Sequence, residues 1–451
     1  MIDCDQNIKD ILVSPDEEEK YCQRNGLHLR RLNNGATVLT ASRLVEDMKW
    51  GELEIFFPSG AYNDPVGKSG AHHLLEHLIM VGKIFPIADA ANVLKNAGTN
   101  QRSITVMLEG SASPDSNDFG LWPVIQATKD VLAEPLGHHL NLEKAVEREK
   151  RVVLGEISED EAKKLQHDGI QERLITLDLF GENHPFMINV LGLKEEMVSI
   201  TPKELIDLSH RVFVPKNMVA SGFTSGDRLL AASLANLLED SFNNFPRAGQ
   251  QPNPDSFPLS QLTNPTLAPG QSFFYETGLG NKLVSAGFVW LFDIPNNSRE
   301  QMVLFSLQSL ISQNFFNLFR QEGWGYTAST SFRSLKDKTF YNFSFEVGKR
   351  LDIAQFLCLV HQRSMETVLR DVSEDAIEDC YKKEKRFQEI EPVPRVAFFN
   401  HAVEGLRNFG HMIDYEKMLE MRKSVTIKDY RRCLERFLDQ EPIVVAIGDL
   451  G

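Results

Sequence analysis

Residues 69–82 read "SGAHHLLEHLIMVG", which sets three histidines and one glutamate within six positions of an apolar stretch. The apolar spacing predicts a helix over 70–83. On such a helix His73 and His77 stand four residues apart, so both side chains leave the same face one turn apart. Two imidazoles at that spacing can hold one zinc ion. Glu76 lies close enough to this pair to reach a metal-bound water without being a ligand. His72 sits about 100° away around the helix, so a packing or supporting role is predicted for it. The bland reading is a partly buried helix that tolerates polar residues. The sharper one is a catalytic zinc site, which needs a third protein ligand from elsewhere and leaves a fourth position to water.

The stretch "LEKAVEREKRVVLGEISEDEAKKL" (142–165) is a strong helix with five candidates for that ligand: Glu143, Glu147, Glu149, Glu156 and Glu159. Most charges in such a run are solvated. Glu149 and Glu156 differ, because they are seven residues apart, share one face and bracket the apolar "VVL" that turns this face inward. A buried carboxylate is costly unless paired or metal-bound. Spacing alone leaves the choice between Glu149 and Glu156 open.

The rest of the chain looks duplicated. "SITPKELIDLSHRVFVPKNMVASGFTSGD" (199–227) and "SVTIKDYRRCLERFLDQEPIVVAIGD" (424–449) each give Ser-x-Thr, an amphipathic helix and a short apolar strand ending near Gly-Asp. Residues from Trp50 and from Leu283 each read strand, loop, helix, and the second copy has no histidine in its helix. The Pro-, Gly- and Asn-rich segment 246–271 reads as a linker. The expected architecture is α+β: two homologous α/β-sandwich-like halves, each a largely antiparallel or mixed sheet covered by helices on one face. The boundaries are 1–245 for a zinc-binding half, 246–271 for the linker, and 272–451 for a second half without the histidines.

Composition narrows the function. The chain has 451 residues and a formal net charge of −15, an acidic balance that argues against nucleic acid and anionic membrane as partners. It is compatible with cationic or neutral polypeptide substrates. Five scattered cysteines without a CxxC pair favour a reducing compartment, and Cys358 and Cys380 read as small buried hydrophobes. The acidic start shows no secretory signal, and no apolar run is long enough to span a membrane, so the expectation is a cytoplasmic protein, or a periplasmic or organellar one if a presequence has been removed. "HH" at 138–139 reads as a loop or helix edge and "GWG" at 323–325 as a turn.

The motifs together resemble the pitrilysin/insulinase family of inverted zincins, whose block runs Gly-x-x-His-x-x-Glu-His-hydrophobic-x-hydrophobic-x-Gly. Gly70, His73, Glu76, His77, Leu78, Met80 and Gly82 fall in that frame, and Glu149 and Glu156 match the family's downstream pair. "ENHPF" (182–186), Thr201-Pro202 and "PKNM" (215–218) are similar to further landmarks. The resemblance implies a Zn2+ endopeptidase acting on peptides or unfolded polypeptides. It implies His73, His77 and Glu156 as zinc ligands, Glu76 as general base, and Glu149 as support for the ligands. "LKNAGTNQRSIT" (94–105) resembles the edge segment that lies alongside bound peptide. Where the family has Asn-Ala-x-Thr, the residues taken here are Asn100-Gln101-Arg102-Ser103, with Asn100 as a substrate contact. "FFNLFRQEGWGYTAS" (315–329) resembles the segment that supplies an Arg and a Tyr to substrate, here Arg320 and Tyr326, with Arg320 one residue closer to the Tyr than usual. Tyr326 would orient the substrate or stabilise the oxyanion. Members of this size work as homodimers or as heterodimers with a related subunit. Some are inert subunits that bind peptide without cleaving it, and these usually lose part of the zinc set.

Overall fold

Strand-forming runs of alternating apolar residues assemble into two sheets in a computed structural model of the chain. The structure describes residues 10–43, 50–112, 120–164, 189–216, 218–225, 228–243, 270–276, 283–294, 298–325, 328–335, 338–348, 352–371, 375–379, 381–382 and 395–448. Nearly all of the linker read at 246–271 lies outside the described residues, as do "ENHPF" at 182–186, Tyr326 and Cys380.

The first sheet has the spatial order β1 (Leu27–Arg31), β2 (Thr37–Arg43), β6 (Val219–Ser225), β3 (Trp50–Phe57), β5 (Ile104–Ser111), β4 (Leu94–Thr99). The second has the order β7 (Ser272–Glu276), β11 (Ile443–Gly448), β8 (Leu283–Phe292), β10 (Lys338–Gly348), β9 (Ala328–Leu335). In each, one parallel pair (β2 with β6, β7 with β11) is followed by three antiparallel pairings in the same order. The five strands of the second sheet thus repeat five of the first in order and direction. The helices preceding β6 and β11, Pro202–Val212 and Ile427–Asp439, both open on a capping box, Thr201 with Glu204 and Thr426 with Asp429. In each box the threonine and the acid satisfy each other's backbone N–H groups at the helix start.

Strand parity then decides what is buried. On β5, Ile104, Val106 and Leu108 face a core shared with Leu53, Ile55 and Phe57 of β3 and with Leu74, Leu75 and Leu78 of the helix Ala71–Ile79. The second sheet builds its own core from Phe288, Trp290 and Phe292 of β8 and Tyr341, Phe343 and Phe345 of β10. Against these pack Phe315 and Phe319 of the helix Arg299–Gln321 and Phe437 of the helix Ile427–Asp439.

The opposite face of the first sheet is covered by residues from both ends of the chain. Leu39, Ala41 and Val219 pack with Tyr21 and Cys22 and with Phe399, Val403 and Leu406 of the helix Arg395–Phe409. Arg407 of that helix reaches Glu54 on β3 at 2.6 Å and donates to Ser221 Oγ on β6 at 3.2 Å. The far end of the chain therefore closes over the sheet that carries the histidine helix. Two sequence expectations are corrected here. Val152 of "VVL" is exposed, and only Val153 of the trio is fully buried, because a helix turns adjacent residues to different faces. Cys358 is also exposed, on the outer side of the helix Ile353–Asp371. No described helix is long and apolar enough to cross a membrane.

Leu406→Ala deletes a buried side chain from the layer that joins the two ends of the chain. It should lower the unfolding free energy by about 2–5 kcal/mol, read from urea or guanidinium midpoints at unchanged m-value.

Candidate metal centre

The histidine helix is fixed at its N-terminus by one carboxylate. Asp64 accepts the backbone N–H of Gly70 at 2.7 Å and of His72 at 2.9 Å, where a helix leaves its first amides unpaired and carries partial positive charge. The same carboxylate binds His72 Nδ1 at 2.7 Å, and His72 Nε2 binds Ser59 Oγ at 2.9 Å. This has the connectivity of a hydrolase triad, but His72 is 0% and Ser59 2% exposed, so neither meets a substrate. His72 is thus a tie between the helix and the loop before it, which gives the packing role read from sequence a definite partner set. Gly70 has φ +89°, and a Cβ there would meet Met197 Cε at 2.5 Å and Leu191 O at 2.6 Å. Only glycine allows that backbone turn and that approach.

The helix Leu142–Lys164 lies against the histidine helix and brings Glu156 to both imidazoles. His73 Nε2 stands 3.4 Å from Glu156 Oε2, and His77 Nε2 stands 3.6 Å from Glu156 Oε1. The three candidate ligand atoms all lie within 4.8 Å of one another. A tetrahedral zinc with bonds of about 2.0–2.1 Å sets its ligand atoms roughly 3.3 Å apart, so this donor set is close to the shape that zinc requires. Glu149, 4% exposed, faces the other side of His77: its Oε2 lies 3.4 Å from Nδ1. With its proton on Nδ1, His77 would donate to this carboxylate and leave Nε2 free to ligate. Arg148 Nε donates to the other oxygen of Glu149 at 2.7 Å. Heptad spacing thus puts both glutamates on one face and gives them different partners, an outcome that spacing alone left open.

Burial shapes the charges. Burial, followed by the neighbouring His77, lowers the pKa of His73 to about 4, so its ring is neutral near pH 7 and ready to ligate. Its Nδ1 is buried without a hydrogen-bond partner. Burial also raises the pKa of Glu76, and the charge of Glu156 adds to this, while a hydrogen bond from Thr99 opposes it. That bond runs from Thr99 Oγ1 to Glu76 Oε2 at 2.9 Å.

Thr99 ends β4, which is an edge strand of the first sheet. This corrects the reading of the edge segment. Asn100 lies beyond the strand, and its Oδ1 accepts the N–H groups of Arg102 and Ser103 at 2.7 and 2.9 Å while its Nδ2 donates to Ser103 Oγ. Its side chain is spent closing the β4–β5 turn. The Asn-Ala-x-Thr pattern is present four residues earlier, as Asn96-Ala97-Gly98-Thr99 on the edge strand itself. The sequence signal was therefore available, four residues out of register. Arg320 lies on the exposed side of the helix Arg299–Gln321 with its guanidinium 4.6 Å over the Phe316 ring. His138 and His139 sit in a turn as read from sequence: His139 Nε2 bonds Leu78 O at 2.9 Å, and His138 packs on Gly82.

Comparisons with known proteins bear on the fold. The family described as "Peptidase M16 inactive domain" matches residues 199–383, which begin beyond the histidines and glutamates of the site. Protease 3 of Escherichia coli (strain K12) is 25% identical over 302 residues, covering 65% of this chain and 28% of that protein, and Protease 3 of Shigella flexneri matches to the same extent. The chain thus spans little more than a quarter of the curated relatives it matches. Among solved structures, a peptidase M16 inactive domain from Pseudomonas fluorescens gives a TM-score of 0.72 at 13% identity, covering 94% of this chain and 98% of that one. A protease from Helicobacter pylori gives 0.66 at 16% identity, with 93% and 99% covered. The first half of the periplasmic protease PqqL from Escherichia coli gives 0.64 at 14% identity, with 94% and 92% covered. These likenesses show the fold.

Two outcomes follow from the local physics. Gly70→Ala should destabilise the protein by about 1–3 kcal/mol through backbone strain, with further loss from the clash with Leu191 O, measured by chemical denaturation. In metal-free protein, His73 and His138 both have pKa values lowered to about 4, against 6.5 in the unfolded chain. The unfolded state therefore binds more protons between those values, so stability present above about pH 6.5 should be lost as pH falls toward about 4. Urea midpoints of chelator-treated protein across that window should fall, with a shallower slope in His138→Asn.

Proposed function

We propose, starting from the chain's kinship with the M16 peptidases, that it is a zinc-dependent endopeptidase that cleaves peptides or short unfolded polypeptides. The observation that carries this reading is the meeting of His73, His77 and Glu156 beside a buried Glu76 at an open sheet edge. Zinc bound there supplies a lowered pKa for water and polarisation of the scissile carbonyl. The chain's own residues supply the rest. Glu76 takes the proton of the attacking water and later delivers it to the leaving amine, a shuttle favoured by burial that raises its pKa. Glu149 holds His77 in its ligating tautomer. The outer edge of β4 offers main-chain N–H and C=O groups to a peptide that adds as a further strand.

In this reading residues 1–245 form the zinc-binding half, 246–271 the linker, and 272–451 the half that brings Arg320 and Tyr326 to the substrate. The chain's length matches the first half of PqqL, and PqqL joins two such halves in one protein of which this chain covers 48% of the length. We therefore propose that the chain works with a second unit of its own kind, as a homodimer or as a heterodimer with a related subunit. A zinc-binding, non-proteolytic peptide-binding subunit is the second reading, favoured by the match to a domain described as inactive. That match lies outside the site, where both histidines and both glutamates of the pair are in place.

Glu76→Gln should keep zinc and abolish hydrolysis of a quenched peptide that the unmodified chain cleaves in a chelator-sensitive manner. Full activity in zinc-replete Glu76→Gln would rule out the mechanism. Glu156→Gln should lose zinc more severely than Glu149→Gln, whose loss should be about 10–100-fold in affinity. The reverse order by metal analysis would exchange their roles.

A further inference from the structure

We infer that Thr99 is a positioning residue for Glu76: its hydroxyl holds one oxygen of the carboxylate and aims the other at the proton to be moved. The inference rests on the peptidase reading above and names a part of that site.

Three observations support it. First, the contact is direct and short, with Thr99 Oγ1 donating to Glu76 Oε2 at 2.9 Å, and the carboxylate it holds is 8% exposed. A buried carboxylate with a fixed donor on one oxygen loses rotational freedom about its last torsion, which keeps the second oxygen, Oε1, in one place. Second, the donor is itself fixed. Thr99 pairs with Ile104 in the β4–β5 ladder, and the turn after it is closed by the Asn100 side chain. The same turn receives the N–H groups of Ala61 and Tyr62 on the carbonyls of Asn100 and Gln101 at 3.0 and 2.9 Å. A Cβ at Gly60 would collide with Asn100 O and Ser103 N, so the loop before the histidine helix and the end of the edge strand meet backbone to backbone. Third, strand parity puts the Thr99 side chain on the face of β4 that also carries Ala97, which packs on the core beneath the helix. A peptide adding to the strand edge pairs with main-chain groups, so it leaves the Thr99 hydroxyl on Glu76. Docking on β4 then steadies the strand whose last residue holds the base.

The test uses the full zinc-loaded chain and one quenched peptide. Thr99→Val keeps the shape and removes the donor, and Thr99→Ser restores the donor. A hydrogen bond to a charged acceptor makes the expected loss in Thr99→Val roughly 10–100-fold in kcat, with KM within about twofold and bound zinc unchanged. Thr99→Ser should recover kcat to within about threefold of the unmodified chain. Peptide affinity of zinc-stripped protein should be the same with Thr or Val at 99. Unchanged kcat in Thr99→Val, a loss confined to KM or to peptide affinity, or a Ser variant as slow as the Val variant would each overturn the inference and leave the peptidase reading standing. Absence of chelator-sensitive cleavage by the unmodified chain would overturn that reading, and with it the role of Thr99.

Discussion

The site depends on two helices crossing closely enough for one carboxylate, Glu156, to reach two imidazoles on adjacent turns of Ala71–Ile79. That approach is unfavourable unless something answers for the buried polar groups. Eight of the nine residues of the histidine helix are buried, among them His72, His73 and Glu76. Each has its answer: Asp64 and Ser59 for His72, Thr99 for Glu76, and for His73 the shared ligand position with His77 and Glu156. His73 Nδ1 remains buried without a partner, a cost carried beside the cluster that Nε2 forms with His77 and Glu156.

The frame that holds the two helices explains why they stay aligned. Asp64 caps the N-terminus of the histidine helix, and Gly70 lies so close to Gly192 that a Cβ on either would strike the other's backbone. The loop that carries Gly192 leads into the helix Lys194–Ser199, and Lys150 of the glutamate helix donates to Val198 O there at 3.0 Å. One short region therefore touches both helices. The second half keeps the sheet topology and fills its own core with aromatic side chains, Phe315 and Phe319 packing on Phe343 and Phe345. The two sheets repeat one scaffold, and the clustered histidines and glutamate lie on the first.

Much of this was legible in the sequence. The helix spacing of His73 and His77, the seven-residue interval of Glu149 and Glu156, and the twin Ser-x-Thr helix starts are local periodic signals, and each stands where its period puts it. What was not legible depends on contacts between distant segments. Nothing near His72 announces Ser59 and Asp64 as its partners, since the loop between them folds back by a path no period encodes. Asn100 and Ser103 imitate the polar pattern of Asn96 and Thr99, so the pattern alone places the edge strand four residues late. Only pairing with β5 shows which set lies on the strand and which closes the turn. The closure of the first sheet by the helix Arg395–Phe409 joins residues nearly 400 positions apart and leaves no mark on local sequence beyond an amphipathic helix.

The central claim is that this chain holds one zinc ion on His73, His77 and Glu156. X-ray absorption at the zinc edge, on purified protein of measured metal content, tests it most directly. The account requires one zinc per chain with two imidazole nitrogens and carboxylate or water oxygen at about 2.0–2.2 Å, and loss of the zinc or of one of its two imidazoles in His77→Ala. Sub-stoichiometric zinc, or a shell containing sulfur at about 2.3 Å, would contradict it.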